Sequence, residues 1–248
     1  MSELSVTVLG SSGSYASADN PCTGFVLRSA EAVVLFDCGP GTAGPLQETV
    51  DLNEITAIVI SHCHPDHWLE LPVLRNVFIW FHPRSGVPVY GTARTREMEQ
   101  ALRVEVAHRP TPFAWSTIDA DSSLVIGDQH WTFDRTDHPV ETLAARIAIG
   151  GRTALFTSDT GPGWTFTDFG ADVDIAFCDA SHLAAEEDQG IPHMSAREAA
   201  ERAEAAGARQ LVLTHLMPGA DPVAHRAEAG AVYGGPIDVA EAGSVFEI

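Results

Sequence analysis

The stretch "SHCHPDHWLEL", Ser61 to Leu71, places three histidines and an aspartate within residues 62–67, directly after the apolar run "ITAIVI". Neutral imidazoles waste packing volume in a core and protonated ones repel one another. A chain that gathers them at the end of a buried strand therefore needs something to hold them together, and a divalent cation does this. Imidazole and carboxylate suit Zn²⁺, Mn²⁺ or Fe²⁺, and the lack of cysteine at the ligand positions disfavours a structural thiolate site. Read as an extended loop, the stretch turns His62 and His64 one way and Asp66 and His67 toward a neighbouring point. One segment then serves two ions.

Four ligands do not complete two coordination spheres. The remainder stands at other strand ends: His138 in "RTDHP", Asp159 in "FTSDTG" and His215 in "VLTHL", each ending an apolar run. This set, in this order, resembles the metallo-β-lactamase fold superfamily of dinuclear hydrolases, whose pattern is HxHxDH followed by a His, an Asp and a final His. The likeness covers nearly the whole chain. It implies that His62, His64 and His138 bind one metal, that Asp66, His67 and His215 bind the other, and that Asp159 bridges them. "VVLFDCGPG" resembles the early strand-Asp-Gly motif of that superfamily, with Asp37 as a buried partner of the ligands. Ligand imidazoles need their second nitrogen fixed, and Asp37 and Asp137 are the candidates.

A narrower resemblance lies in "HMSAREAAERAEAAGARQLVLTHL", which is similar to the ribonuclease Z group. There a His at the start of an Ala-rich helix precedes the final metal His. This implies that His193 acts on the phosphate or the leaving oxygen, and "CDASH" supplies Asp179 to orient it. Asp66 or Asp159 is then left to orient the attacking water or accept its proton, so the implied catalytic set is Asp66, Asp159 and His193.

The strand and helix signals fit that fold. "LSVTVLG", "GFVLRS", "AVVLFDCG", "TAIVIS" and "VPVYG" read as a first group of strands, with helices within Thr42–Val50, in "PVLRNVFIWF" and in "ARTREMEQALR". "SLVIG", "HWTFDRTDH", "AARIAIGG", "TALFTSD", "VDIAFCD" and "QLVLTH" read as a second group. "SAREAAERAEAAG" is the clearest helix, with capping-box spacing between Ser195 and Glu198 and Gly207 at its end. A short helix follows near His225, and "IDVAEAGSVFEI" closes the chain. No linker separates the two groups. The expectation is one domain over residues 1–248, an α/β (α+β) αββα sandwich of two mixed β-sheets with helices on the outer faces.

Charge narrows the substrate. The formal net charge is −20, and all 14 basic residues are arginine. Affinity for a long polyanion draws on phosphate neutralisation by a basic surface, so the balance argues against long nucleic acid as a partner. Ribonuclease Z proteins that process tRNA carry a long arm between the third histidine and the bridging aspartate; here only residues 139–158 intervene. Their "PxKxRN" motif needs a lysine this chain lacks. The pattern resembles the short armless branch, including bacterial cyclic-nucleotide phosphodiesterases. The resulting expectation is hydrolysis of a small anionic phosphodiester, a cyclic mononucleotide first, with two divalent metal ions, zinc before manganese or iron. The alternatives are tRNA 3′-processing, a metallohydrolase of thioesters or lactones, and a non-catalytic metal-binding protein.

The remaining features bear on surroundings. Cys22, Cys38, Cys63 and Cys178 form no CxxC pair and read as reduced thiols. With no signal-like N-terminus and no apolar run near the roughly 20 residues that span a bilayer, the expectation is a cytoplasmic protein off the membrane. Ser11, Ser12 and Ser14 are placed to offer donors over the site, Trp68 and Trp164 to stack on a base or to pack, and "VFIWFH" to face a second copy in a homodimer. His82, His108, His130, His182 and His225 lack the pattern and receive no metal role.

Overall fold

The structure is a computed structural model that describes residues 4–104, 108–109 and 111–248. The first sheet is built from β1 (Ser5–Gly10), β2 (Gly24–Arg28), β3 (Val33–Cys38), β4 (Ala57–Ile60), β5 (Val87–Gly91) and β6 (Phe113–Thr117) in that spatial order. The second holds β7 (Ser123–Ile126), β8 (Gln129–Arg135), β9 (Leu143–Ile149), β10 (Arg152–Phe156), β11 (Ile175–Asp179), β12 (Leu211–Thr214) and β13 (Ile237–Val239). The closing strand β14 (Val245–Glu247) crosses back and pairs antiparallel with β1. Each sheet is antiparallel on one side, through β3 and β10 respectively, and parallel beyond.

β3, β4, β11 and β12 are buried along their whole length, which is why "VVLF", "AIVI", "IAFC" and "LVL" read as unbroken apolar runs rather than alternating ones. Between the sheets lies an aromatic core in which Phe156 and Phe177 stack at 4.5 Å and Phe25 and Phe36 each meet Phe156 at 5.1 Å. The two outer layers are helical. On the first sheet, Leu71, Leu74 and Phe78 of α3 (Leu71–Trp80) join Leu35, Ile58, Ile60 and Val89 in one cluster. α1 (Ala43–Thr49), the single turn α2 (Pro65–Trp68) and α4 (Ala93–Ala101) belong to the same half of the chain.

On the second sheet, α5 (Ala196–Ala206) buries Ala196, Ala199, Ala200 and Ala203 in one cluster with Cys178, Leu211 and Leu213. This i, i+3, i+4, i+7 stripe of small side chains lets the helix lie close to the sheet. Ser195 accepts from the Glu198 N–H while Glu198 accepts from the Ser195 N–H, and Gly207 ends the helix at φ 68°. α6 (Pro222–Ala229) packs beside it, capped by Asp221. These four layers are the αββα sandwich the sequence predicts.

Three details differ. The histidine stretch is not extended throughout: Pro65 opens the helical turn α2, so Asp66 and His67 leave it on a helix rather than by strand alternation. β6 was not among the strands read from the sequence. The terminal "IDVAEAGSVFEI" is two strands in different sheets. Among the described residues no helix is long and apolar enough to cross a membrane, and the four cysteines are buried and free.

Candidate metal centre

Both sheets deliver their chemistry at one end. His62 and His64 follow β4, Asp66 and His67 ride on α2, His138 follows β8, Asp159 follows β10 and His215 follows β12. The structure brings all seven together. Donor atoms of His62, His64, His138 and Asp159 lie within 4.8 Å of one another, as do those of Asp66, His67 and His215. Asp159 stands between the groups. Its Oδ2 lies 3.4 Å from His62 Nε2 and 3.8 Å from His138 Nε2, and its Oδ1 lies 3.1 Å from His67 Nε2 and 3.4 Å from His215 Nε2.

The outer nitrogens of four rings are each held by an acceptor. Asp37 Oδ2 accepts from His67 Nδ1 at 2.7 Å, and the Pro192 carbonyl accepts from His138 Nδ1 at 3.1 Å. Ser61 Oγ gives its proton to Asp37 (2.8 Å) and so accepts from His62 Nδ1 at 3.0 Å. Ser181 Oγ likewise gives its proton to Asp179 (2.7 Å) and accepts from His215 Nδ1 at 3.1 Å. With Nδ1 carrying the hydrogen, the inward Nε2 of each of these four rings presents a lone pair when the ring is neutral. His67 Nε2 and His215 Nε2 then face each other at 3.3 Å, and His62 Nε2 and Asp159 Oδ1 are buried without a hydrogen-bond partner. Lone pairs and carboxylate oxygens converging in this way fit divalent cations and little else.

Charge at the site points the same way. Burial, with the neighbouring His67 charge, lowers His62 to about 4, and burial lowers His64 and His138 as well, so these rings are neutral. Burial opposes ionisation of Asp66 and Asp159, yet the surrounding imidazoles hold both well below the usual carboxylate range. Burial disfavours the protonated His67 ring too, but Asp159 and Asp37 outweigh it and raise it well above the ordinary imidazole value. A positive charge is called for at that point.

His193 sits just before α5, its Nδ1 2.7 Å from Asp179 Oδ2, its ring 5.2 Å from His138 and 5.0 Å from His215. Burial pulls its pKa down, but the Asp179 carboxylate more than compensates and raises it to about 9. Asp179 also accepts from the Thr160 N–H next to Asp159, at 3.0 Å. Four non-glycine residues at the rim, Ser14, Asp37, Ser158 and His215, have φ between 52° and 61°, and such strained backbone collects at functional sites.

Other expectations change. Asp137 contacts no ligand ring; its Oδ2 accepts from the Gly163 N–H at 2.9 Å and its carbonyl from Gly161 at 2.7 Å, tying the His138 loop to the Asp159 loop. Trp68 and Trp164 are packing residues, with their indole N–H groups given to the Cys63 carbonyl and to Asp134. The hydroxyls of Ser11 and Ser12 bond to Ala240 and Tyr15 carbonyls, and Ser14 acts through its backbone N–H on Asp66 Oδ2 at 2.8 Å. Ser61, Ser181 and the Pro192 carbonyl escaped the sequence reading, although Ser61 and Ser181 lie inside the motifs quoted for it.

A four-layer sandwich with this ring of histidines and carboxylates on one rim defines a metal-dependent hydrolase of the metallo-β-lactamase fold. The beta-lactamase superfamily domain matches residues 33–216, and the chain belongs to that superfamily. It is similar to the probable metallo-hydrolase YhfI of Bacillus subtilis, at 29% identity over 98% of this chain and all of that one. The crystal structure of YhfI superposes with a TM-score of 0.91 at 28% identity, covering 99% and 100% of the two chains. An uncharacterised Mycobacterium tuberculosis protein, Rv1339, is 31% identical over 98% of this chain and 92% of its own. The short form of human tRNase Z shares the fold, with a TM-score of 0.79 at 23% identity over 98% of each chain.

Proposed function

We propose that this chain is a dinuclear phosphodiesterase acting on a small phosphodiester, with a cyclic mononucleotide as the leading substrate. His62, His64 and His138 would hold one divalent ion and Asp66, His67 and His215 the other, with Asp159 placed between the two groups to serve both. Zinc fits this donor set first, and manganese and iron are compatible with it. When bound, such a pair supplies a nucleophile at neutral pH and offsets the charge that develops on phosphorus. The chain does the rest. Asp66 or Asp159 orients the attacking water and takes its proton. His193, protonated and aligned by Asp179, donates to the departing alkoxide. The backbone N–H groups opening α5 are taken up by Glu198, the His182 carbonyl, Glu228 and Ser195, so His193 is the donor this end of the helix offers.

The observation that carries this reading is the 2.7 Å contact between His193 and Asp179 beside the metal cluster. It provides a charged proton donor that a lactone or thioester hydrolase does not require. A tRNA-processing role is disfavoured by the segment between His138 and Asp159, which is the β9–β10 hairpin and not an arm. The exposed Val73, Trp80 and Phe81 of the "VFIWFH" region offer a face for a second copy. The test is turnover of bis-p-nitrophenyl phosphate and 3′,5′-cyclic AMP by metal-loaded protein and by His193→Ala. The reading requires hydrolysis by the first and its loss in the second, with metal content retained.

A further inference from the structure

An open cleft of about 400 Å³ begins at His193. Its walls are stiffened by Pro139, Pro162 and Pro192, and beside His193 its lining carries the carboxylates Asp137, Glu187 and Glu198, with no arginine among the described lining residues. The guanidinium groups nearby are already engaged: Arg197 with Glu187 and Glu201, Arg202 with the Pro162 carbonyl. A second cleft, about 500 Å³, opens beside Leu216, and its charged residues are Asp19 and Glu241.

A phosphodiester has two ester oxygens, on separate arms or, in a cyclic nucleotide, on one ribose, and the oxygen that leaves must lie where His193 can protonate it. From this geometry we infer that the cleft at His193 receives the leaving alcohol, and that its carboxylates restrict that arm to one without a second anionic group. This rests on the phosphodiesterase reading and narrows its substrate class. A carboxylate accepts hydrogen bonds from sugar hydroxyls, whereas a second phosphate held beyond His193 meets the like charge of Asp137 and Glu198, which, unlike Glu187 with Arg197, pair with no arginine among the described residues. The preferred substrate therefore carries one phosphate, on the ring of ions, and neutral hydroxyl-bearing groups around it. Nucleoside bisphosphates, cyclic dinucleotides and oligonucleotides are disfavoured by local charge as well as by the chain's overall balance.

Glu198→Gln isolates the local part. Glutamine still accepts from the Ser195 N–H, so the helix cap survives while one charge goes. Glu54→Gln is the control: that side chain is exposed, pairs with Arg28 and precedes β4, whereas the metal cluster follows it. Calorimetric titration of the metal-loaded full chain with AMP and with adenosine 3′,5′-bisphosphate gives a ratio of Kd values. The bisphosphate should bind about tenfold or more weakly, and Glu198→Gln should shrink the ratio about threefold while Glu54→Gln leaves it in place. A wild-type ratio below about threefold overturns the inference, as does a ratio that Glu198→Gln leaves unmoved or that both variants move alike. The titration needs no turnover. A clear ratio in a protein inert toward every diester removes the phosphodiesterase reading, and a flat ratio in an active one removes only the cleft assignment.

Discussion

Asp37 Oδ2 and His67 Nδ1 lie 2.7 Å apart in the interior, and the same carboxylate accepts from the Ser61 N–H and the Ser61 hydroxyl, each at 2.8 Å. Through Ser61 it also governs His62 Nδ1. One side chain therefore fixes the ring orientation and tautomer of a histidine in each of the two groups. Removing such a partner costs about 10–100-fold in metal affinity, and Asp37→Ala should show that loss in a zinc titration. Affinity within twofold of wild type would mean that the tautomers are set elsewhere.

His193→Ala deletes a proton donor without touching the seven clustered side chains. General acid catalysis contributes about 10²–10⁴-fold, so kcat on 3′,5′-cyclic AMP, whose leaving group is an alkoxide, should fall by that order at unchanged metal content. The loss should be larger on an alkyl diester than on one with a p-nitrophenyl leaving group, because the poorer leaving group needs the proton more. Equal losses on both substrates place His193 on the phosphate oxygens instead.

Gly39 follows the Asp37 motif, and a Cβ there would collide with the Asp66 backbone carbonyl and press on the Cys22 side chain. Neither is the free end of a flexible side chain. Gly39→Ala should cost about 1–3 kcal/mol of stability and weaken metal binding by displacing α2. Chemical denaturation reads the first effect and metal titration the second.

Asp174 lies apart from the metal cluster and gives a pH signature. It accepts from the Thr153 N–H at 2.8 Å, from Arg152 at 3.0 Å and from Arg209 at 2.9 Å. Burial raises its pKa, but these donors together lower it below the ordinary value. A folded-state pKa below the unfolded one gives stability that is present above about pH 4 and lost as the pH falls through the folded value. Asp174→Asn should therefore cost about 1 kcal/mol at pH 7, with the gap to wild type closing in denaturation curves taken below about pH 4.

Much of this was legible because the candidate ligand residues end apolar runs. "AIVI" then His62, "LFTS" then Asp159 and "LVLT" then His215 mark where buried strands meet the rim. Of the tautomer-setting contacts, Asp37 on His67 was legible and the others were not. His138 rests on the Pro192 carbonyl and His215 on Ser181, partners brought together only by the folded sheet, and nothing in the local sequence marks a backbone carbonyl for such a duty. The α2 turn was signalled: Pro65 has the preset φ of a first helical position, and reading residues 62–67 as one extended loop passed over it. β6 was hidden by the prolines at 110 and 112 just before it. β14 was hidden because its partner, β1, is at the other end of the chain.

The account stands most directly on metal stoichiometry and phosphodiester turnover measured on one purified sample. It predicts two equivalents of divalent metal per chain, hydrolysis of bis-p-nitrophenyl phosphate that chelation abolishes and zinc restores, and both properties lost in His64→Ala. Metal at 100 times its Kd adds about 2.7 kcal/mol per site, so the protein loaded at both sites should melt about 10–20 °C above the stripped one. A chain that binds less than one equivalent, or that turns over the diester equally well after exhaustive chelation, contradicts it.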